Sequence, residues 1–255
     1  NTFLNRLISC YQQTDSLKTV ENLLQKRIKK NASHTYLFVF LGYNYQRQQQ
    51  QELANTNYQK AINSLDKNAA YGGLIGHLFK EYNLLDNAIL AYEKAMQGNS
   101  NTNYNFQIAQ IYGEKGAFKK MFESYIDLVD KNKNYLNLIQ RYASKYITDD
   151  SENETNILFR KTLLRKSVSN PKTEWNVLLS WLFAQQKEYT KALIQEKALY
   201  QRNASGLSTI FDLGSVAFEH TDFEAARLCF DFINDKSVLK EEKIDANLYL
   251  SKIAV

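Results

Sequence analysis

Three histidines, His34, His77 and His220, and two cysteines, Cys10 and Cys229, are the residues of this chain best suited to hold a metal or act as a nucleophile. Their spacing argues against both uses. A zinc site of the His-x-x-x-His kind needs two imidazoles on one helical face, and here the histidines fall in widely separated stretches. Ser180, Ser208 and Ser215 have no His–Asp arrangement beside them. Gly72-Gly73-x-x-Gly76 has the look of a phosphate loop, yet it lacks the Gly-Lys-Ser/Thr ending and a preceding strand, so it reads as a loose entry into a helix. Asp149-Asp150-Ser151-Glu152 lacks the glycine and alternating oxygens of a calcium loop and reads as a helix cap. Glu241-Glu242 reads as a solvent-facing acidic pair, since glycosidase carboxylates need a separation fixed in space. The expectation is no enzyme, with no catalytic residue, no cofactor and no metal.

What must position these side chains is helical. The chain has 255 residues, 44% of them hydrophobic and 23% charged, with one proline and nine glycines. Scarce proline removes the strongest interruption to helices, and Leu, Ala, Lys, Gln and Glu recur at helical spacing. No apolar run reaches the roughly 18 residues that would span a bilayer. The net charge is +5, with 16 Lys/Arg against 11 Asp/Glu in residues 1–134 and 16 against 16 in residues 135–255. The two basic clusters, Lys26-Arg27-x-Lys29-Lys30 and Arg160-Lys161…Arg165-Lys166, fall where helices are ending and cations favour the dipole. They form no basic stripe with interleaved aromatics, so nucleic acid is not an expected partner. Cys10 and Cys229 lie near opposite ends and are not expected to pair.

Two stretches stand 34 residues apart, Leu41-Gly42-x-x-Tyr45…Ala54…Tyr58-x-Lys60-Ala61 and Ile75-Gly76-x-x-Phe79…Ala88…Tyr92-x-Lys94-Ala95. Small and aromatic residues at these offsets describe two helices packed face to face, and the period is that of a helical solenoid. Laid along the chain, the pattern predicts one solenoid over 1–255. About seven hairpins start near 1, 35, 69, 102, 136, 173 and 207, and a closing helix covers 240–253. The first helix should bury Phe3, Leu4, Leu7, Ile8 and Tyr11. Polar links such as Asn99-Ser100-Asn101-Thr102 separate hairpins. The fifth is irregular, with a first helix from Tyr135 through Tyr146 and Thr148-Asp149-Asp150-Ser151 capping the next. The closing helix should cover the seventh hairpin with Ile244, Leu248 and Tyr249. Gly42 and Gly76 should let the two helices of a hairpin approach closely, and Ala54, Ala61, Ala88 and Ala95 should do so between hairpins.

Leu41, Gly42, Tyr45, Ala54, Tyr58 and Ala61, with Ile75, Gly76, Phe79, Ala88, Tyr92 and Ala95, resemble the tetratricopeptide repeat. Leu213, Gly214, Ala226 and Phe230 extend the resemblance to the seventh hairpin, so it covers most of the chain. The first, fifth and sixth hairpins depart from the pattern: Glu196 stands where an aromatic is usual, and the proline between repeats is almost wholly absent. The resemblance implies an all-α fold, a right-handed α-α superhelix built as a TPR-like solenoid of helical hairpins. The abundance of Asn, Lys and Tyr suggests a bacterial source.

In such repeats the first helix of each pair lines a concave groove. That implies Tyr36, Val39, Tyr43, Gln46 and Arg47 as groove residues of the second hairpin. The third contributes His77, Lys80 and Glu81, and the fourth Asn103, Phe106 and Gln110. Gln140 and Ser144 come from the fifth, Val177, Trp181 and Gln185 from the sixth, and Ser208, Phe211, Ser215 and Phe218 from the seventh. Aromatic anchors among amides suit protein recognition; Tyr43, Phe106, Trp181, Phe211 and Phe218 are the favoured anchors. The carboxylate clamp known in the family is not reproduced, because Tyr43 and His77 stand where it wants Asn, and Asn44 is one place out of phase.

These features predict a non-catalytic scaffold that takes a peptide or protein partner, without nucleic acid and without inserting itself in a membrane. Because the sequence starts at Asn1 and ends abruptly in Ile253-Ala254-Val255, it reads as a piece of something longer. That leaves two alternatives: a sensory, regulatory or envelope-assembly module of a longer protein, or exported glycan or small-molecule capture on the aromatic groove. The compartment would be the cytoplasm or the bacterial periplasm and envelope. Sequence leaves the oligomeric state open.

Overall fold

A computed structural model describes residues 2–99, 101–203 and 205–254. The side chains of Thr2, Phe3, Asn5 and Ser9 lie outside the described part, so the burial expected for Phe3 is not addressed, and neither are Ser100 and Val255. Among the described residues every regular element is helical. The chain divides into two compact units, Asn1–Ala117 and Phe118–Val255.

Unit 1 contains α1 (Thr2–Gln13), α2 (Leu17–Lys30), α3 (Leu37–Arg47), α4 (Gln51–Asn63), α5 (Gly72–Glu81), α6 (Leu85–Gly98) and α7 (Asn105–Glu114). Within it α3 packs on α4 and α5 on α6 as antiparallel hairpins, with α2 against α3 and α6 against α7. Leu4, Ile8, Val20, Leu24, Phe40, Ile75 and Phe79 belong to one continuous buried core. Unit 2 contains α8 (Phe118–Lys131), α9 (Leu136–Ala143), α10 (Glu154–Ser169), α11 (Thr173–Gln185), α12 (Tyr189–Gln201), α13 (Leu207–Glu219), α14 (Phe223–Lys236) and α15 (Lys240–Ile253). Here α11 pairs with α12 and α13 with α14, while α10 bridges α8 and α11 and α15 packs on α14. Phe122, Phe159, Trp175 and Phe230 fill its interior. Both units are thus rows of α-α hairpins, the all-α solenoid architecture.

Small residues set the hairpin spacing. A Cβ added to Gly42 would stand 2.4 Å from the Tyr58 ring, and one added to Gly76 would stand 2.5 Å from Tyr92. At Gly214 it would meet the Cys229 Cβ at 2.8 Å. Ala95 also serves its own hairpin: a Cβ on Gly72 would lie 2.0 Å from the Ala95 Cβ. The Tyr58 hydroxyl, buried with its ring, donates to Gln46 Oε1 at 2.7 Å.

The hairpin turns repeat too. Asp15, Gln49, Asn83, Gly116, Lys187 and Thr221 all adopt a left-handed backbone, with φ between 56° and 71°. In each turn the next amide reaches back to the carbonyl five residues earlier: Gln50 N to Tyr45 O, Leu84 N to Phe79 O, Glu188 N to Phe183 O and Asp222 N to Ala217 O, at 2.8–2.9 Å. This is the Schellman ending of a helix, which satisfies carbonyls the helix leaves free.

The link between α9 and α10 is built differently. The first helix of this hairpin stops at Ala143 rather than continuing to Tyr146, and the cap of α10 is Asn153, not the acidic run before it. Asn153 Oδ1 accepts from Thr155 N at 3.0 Å. Asn156, fully buried, donates to Thr148 O at 2.8 Å and Asp150 O at 2.6 Å, holding the link against α10. Asp149 turns instead to Lys187, 2.9 Å away.

The closing helix also differs in phase from the expectation. Ala246 is buried, and Tyr249 packs on Phe230 and Phe218 at 4.6 and 5.3 Å between centroids. Ile244 and Leu248, on the opposite side at about 100° per residue, face outward.

Candidate functional site

In unit 1, Tyr43 lies flat on Tyr82, with ring centroids 3.9 Å apart and planes 12° apart. Tyr82 is held edge-on against Phe40 at 6.0 Å, and burial pushes its hydroxyl well above the usual range. Tyr43 itself is half-buried on α3. On α3 and α5, exposed Arg47 lies 3.5 Å from Asp15 and half-buried Lys80 2.8 Å from Glu114. His77 and Glu81 are exposed neighbours one turn apart on α5. Phe106 and Gln110, on α7, are both half-buried.

Tyr36 has a different place. It is 3% exposed, with its ring 5.7 Å from His34 and 5.9 Å from Tyr71. That ring is part of the core and offers a partner no surface. Val39 is buried as well. Asn44 is fully buried and donates to Leu17 O at 2.9 Å, which ties α3 to the start of α2 and removes it from any ligand site.

In unit 2, Trp181 is half-buried on α11 with its ring 6.4 Å from Phe159. Gln185, one turn on, is exposed, and Gln140 on α9 is half-buried. Phe211 and Phe218 are half-buried on α13, and each gives one side to Tyr249, at 5.6 and 5.3 Å. Part of the aromatic surface expected on α13 therefore goes into seating α15.

Tyr82 is absent from the sequence expectation, and Tyr249 appears there only as a covering residue of the last helix. Tyr82 is the residue after the last turn of α5, where the preceding hairpin has Gln48, so a search by repeat register passes over it. Tyr249 sits on a helix read only as a closing element.

Chemistry is sparse around these faces. Among the described residues no group of three or more His, Cys, Asp or Glu is placed to hold a metal ion. His220 Nδ1 stands 2.9 Å from Val216 O in its own helix. Cys229 is fully buried, and burial pushes its thiol up to about 12, so it stays protonated. No helix among the described residues is long and apolar enough to cross a membrane. A cavity of about 510 Å³ is lined by Leu23, Lys26, Arg27, Lys30, Asn31 and His34 at the end of α2. Arg27 and Lys30 occupy the last turn of that helix, as the dipole favours.

No protein-family profile and no curated protein sequence matches the chain. Among solved structures it is similar to one described as Naa15/Naa10 bound to HypK-THB, with 14% identity and a TM-score of 0.40 over 98% of this chain. The chain spans 39% of the length of that protein. It is also similar to a tetratricopeptide repeat protein from Parabacteroides merdae, with 13% identity and a TM-score of 0.32, covering 98% of both chains. A third is pilF of Pseudomonas aeruginosa, at 14% identity and a TM-score of 0.31, with 98% of this chain and 96% of that one covered.

Proposed function

We propose that the chain is a non-catalytic protein-interaction scaffold that presents partner-binding faces on the first helices of its hairpins. The observation that carries the reading is the Tyr43–Tyr82 stack, a rigid aromatic platform 3.9 Å between centroids whose outer member is only half-buried. Flat aromatic side chains lose little rotamer freedom on binding and supply large contact area, which is why they dominate interface energetics. In unit 2 half-buried Trp181 stands edge-on to Phe159 at 6.4 Å, with exposed Gln185 one turn on. Arg47, His77 and Lys80 in unit 1, and Gln140 in unit 2, supply the polar rim that steers a peptide or folded partner. The architecture supports this use, since hairpin repeats expose long continuous faces.

The test is capture of partners by cross-linking to the native chain. The recovered partner is then titrated directly against Tyr43→Ala and Trp181→Ala. Loss of affinity in either variant, with native helicity and melting retained, supports the reading. Unchanged affinity in both removes these faces from the binding account.

A further inference from the structure

A cleft of about 480 Å³ opens inside unit 2, between the starts of α9 and α11. Leu136 on α9, Val177 on α11 and Leu199 on α12 give it apolar lining, Leu199 at its buried end. Lys133, just before α9, and Asn137 supply polar groups on one side, and Glu174 of α11 supplies a carboxylate on the other. That volume is the size of a small-ligand pocket. At two earlier joints of the chain a tyrosine in the third place of the hairpin leans on the hairpin before it. Tyr71 lies 5.9 Å from Tyr36, and a Cβ on Gly73 would stand 3.0 Å from the Tyr104 hydroxyl. The residue in that place of the sixth hairpin, Trp175, is drawn fully into the interior, where its Nε1 donates to Asn170 O at 2.7 Å. It does not line the cleft.

We propose that this cleft binds a small zwitterion with an aliphatic body, an amino acid or the equivalent part of a short peptide. The charges select the ligand. Lys133 and Glu174 line one cleft, yet among the described residues neither has an ion pair, with each other or with any other side chain; Glu174 accepts only from Thr173 Oγ1, at 3.4 Å. The cations beside Glu174 are already taken, since Lys166 and Lys172 both donate to Asp130. A ligand with a single charge would satisfy one wall and be repelled by the other. A zwitterion satisfies both: its ammonium donates to the Glu174 carboxylate, and its carboxylate accepts from Lys133 Nζ. The Asn137 side chain can serve either end, its amide donating and its carbonyl accepting. The aliphatic body lies on Leu136, Val177 and Leu199, where burial of apolar surface adds to the two charge-assisted contacts.

Neither Tyr43 nor Trp181 lines the cleft, so this proposal and the scaffold reading can fail separately. Titration calorimetry of the full chain with L-leucine and with leucyl-leucine tests it. At least one of the two binds saturably, and the tighter one tells whether the site takes a free amino acid or a peptide. Its N-acetyl form, without the ammonium, and its amide, without the carboxylate, each bind about tenfold more weakly, as loss of a charge-assisted contact requires. Glu174→Gln weakens the zwitterion but not the N-acetyl form, and Lys133→Gln weakens the zwitterion but not the amide. A change that only loosened the fold would not sort the ligands in this way. Val177→Trp fills the cleft and abolishes binding, with circular dichroism and melting retained. Absence of saturable binding by both zwitterions overturns the proposal. So do blocked forms that bind as well as the parent, or native affinity in Glu174→Gln and Lys133→Gln.

Discussion

Gly76 lies so close to Tyr92 that a Cβ on residue 76 would stand 2.5 Å from ring carbon Cε1. The Tyr92 ring cannot retreat freely, being 3% exposed and packed on Tyr104 at 4.9 Å. Gly76→Ala should therefore lower stability by about 1–3 kcal/mol through overpacking. Gly206→Ala, where the nearest atom is Ser208 Oγ at 3.7 Å, should leave stability nearly unchanged. Urea denaturation of both variants checks the contrast.

Thr221 closes the α13–α14 turn with φ of 63°, a conformation that crowds a β-branched residue. Thr221→Gly should stabilise the chain by about 1 kcal/mol, the left-handed penalty being partly offset by glycine's extra unfolded freedom. Gly116, at φ of 71° with nothing within 4 Å, should behave oppositely: Gly116→Ala costs about 1 kcal/mol through the backbone alone. Thermal melts of the two variants should move in opposite directions.

Asp130 receives Lys166 Nζ at 2.7 Å, Lys172 Nζ, and Asn170 Nδ2 at 2.8 Å. Hydrogen bonds from Lys166 and Lys172 hold its carboxyl below the usual carboxylate range. A depressed folded value means the contribution is complete above the ordinary aspartate range and fades as pH falls through the lowered value. Asp130→Asn should cost about 1 kcal/mol near neutrality, and the deficit should narrow on acidification below pH of about 4. Chemical denaturation at several pH values measures this directly.

Cys10 is exposed and Cys229 buried, the latter with its thiol raised to about 12. An aromatic disulfide reagent should titrate one thiol quickly in the native protein. The second should react only at the rate at which unit 2 opens. Two fast thiols would mean the α13–α14 seam is looser than its packing implies.

The hairpins were legible because their cause is local. Gly42 and Gly76 sit at fixed offsets from Tyr58 and Tyr92, and a small residue facing a ring leaves the same trace wherever it recurs. The turns were far less visible. Gln49, Lys187 and Thr221 adopt the left-handed form because the Schellman hydrogen bonds and the packed helices on both sides impose it, not because their own preference signals it. The α9–α10 link was misread for a related reason: an acidic run advertises a cap, whereas buried Asn156 organises the link through carbonyls that have no sequence signature. On the candidate faces, the first-helix positions pointed to Tyr43 and Trp181 but gave no warning that Tyr36 turns into the core between His34 and Tyr71. Burial there depends in part on Tyr71 from the neighbouring hairpin, which spacing within one helix cannot reveal.

The central claim is that aromatic residues on the first helices are binding anchors. Titration calorimetry of the recovered partner against the native chain, Trp181→Ala and Gln185→Ala, with Tyr43→Ala alongside, addresses it most directly. Gln185→Ala is the variant that cannot disturb the interior, its side chain being exposed. An anchor contributes about 2 kcal/mol or more, so Trp181→Ala or Tyr43→Ala should weaken binding by at least about tenfold, with Gln185→Ala showing a smaller loss. Native affinity in all three variants would contradict the account.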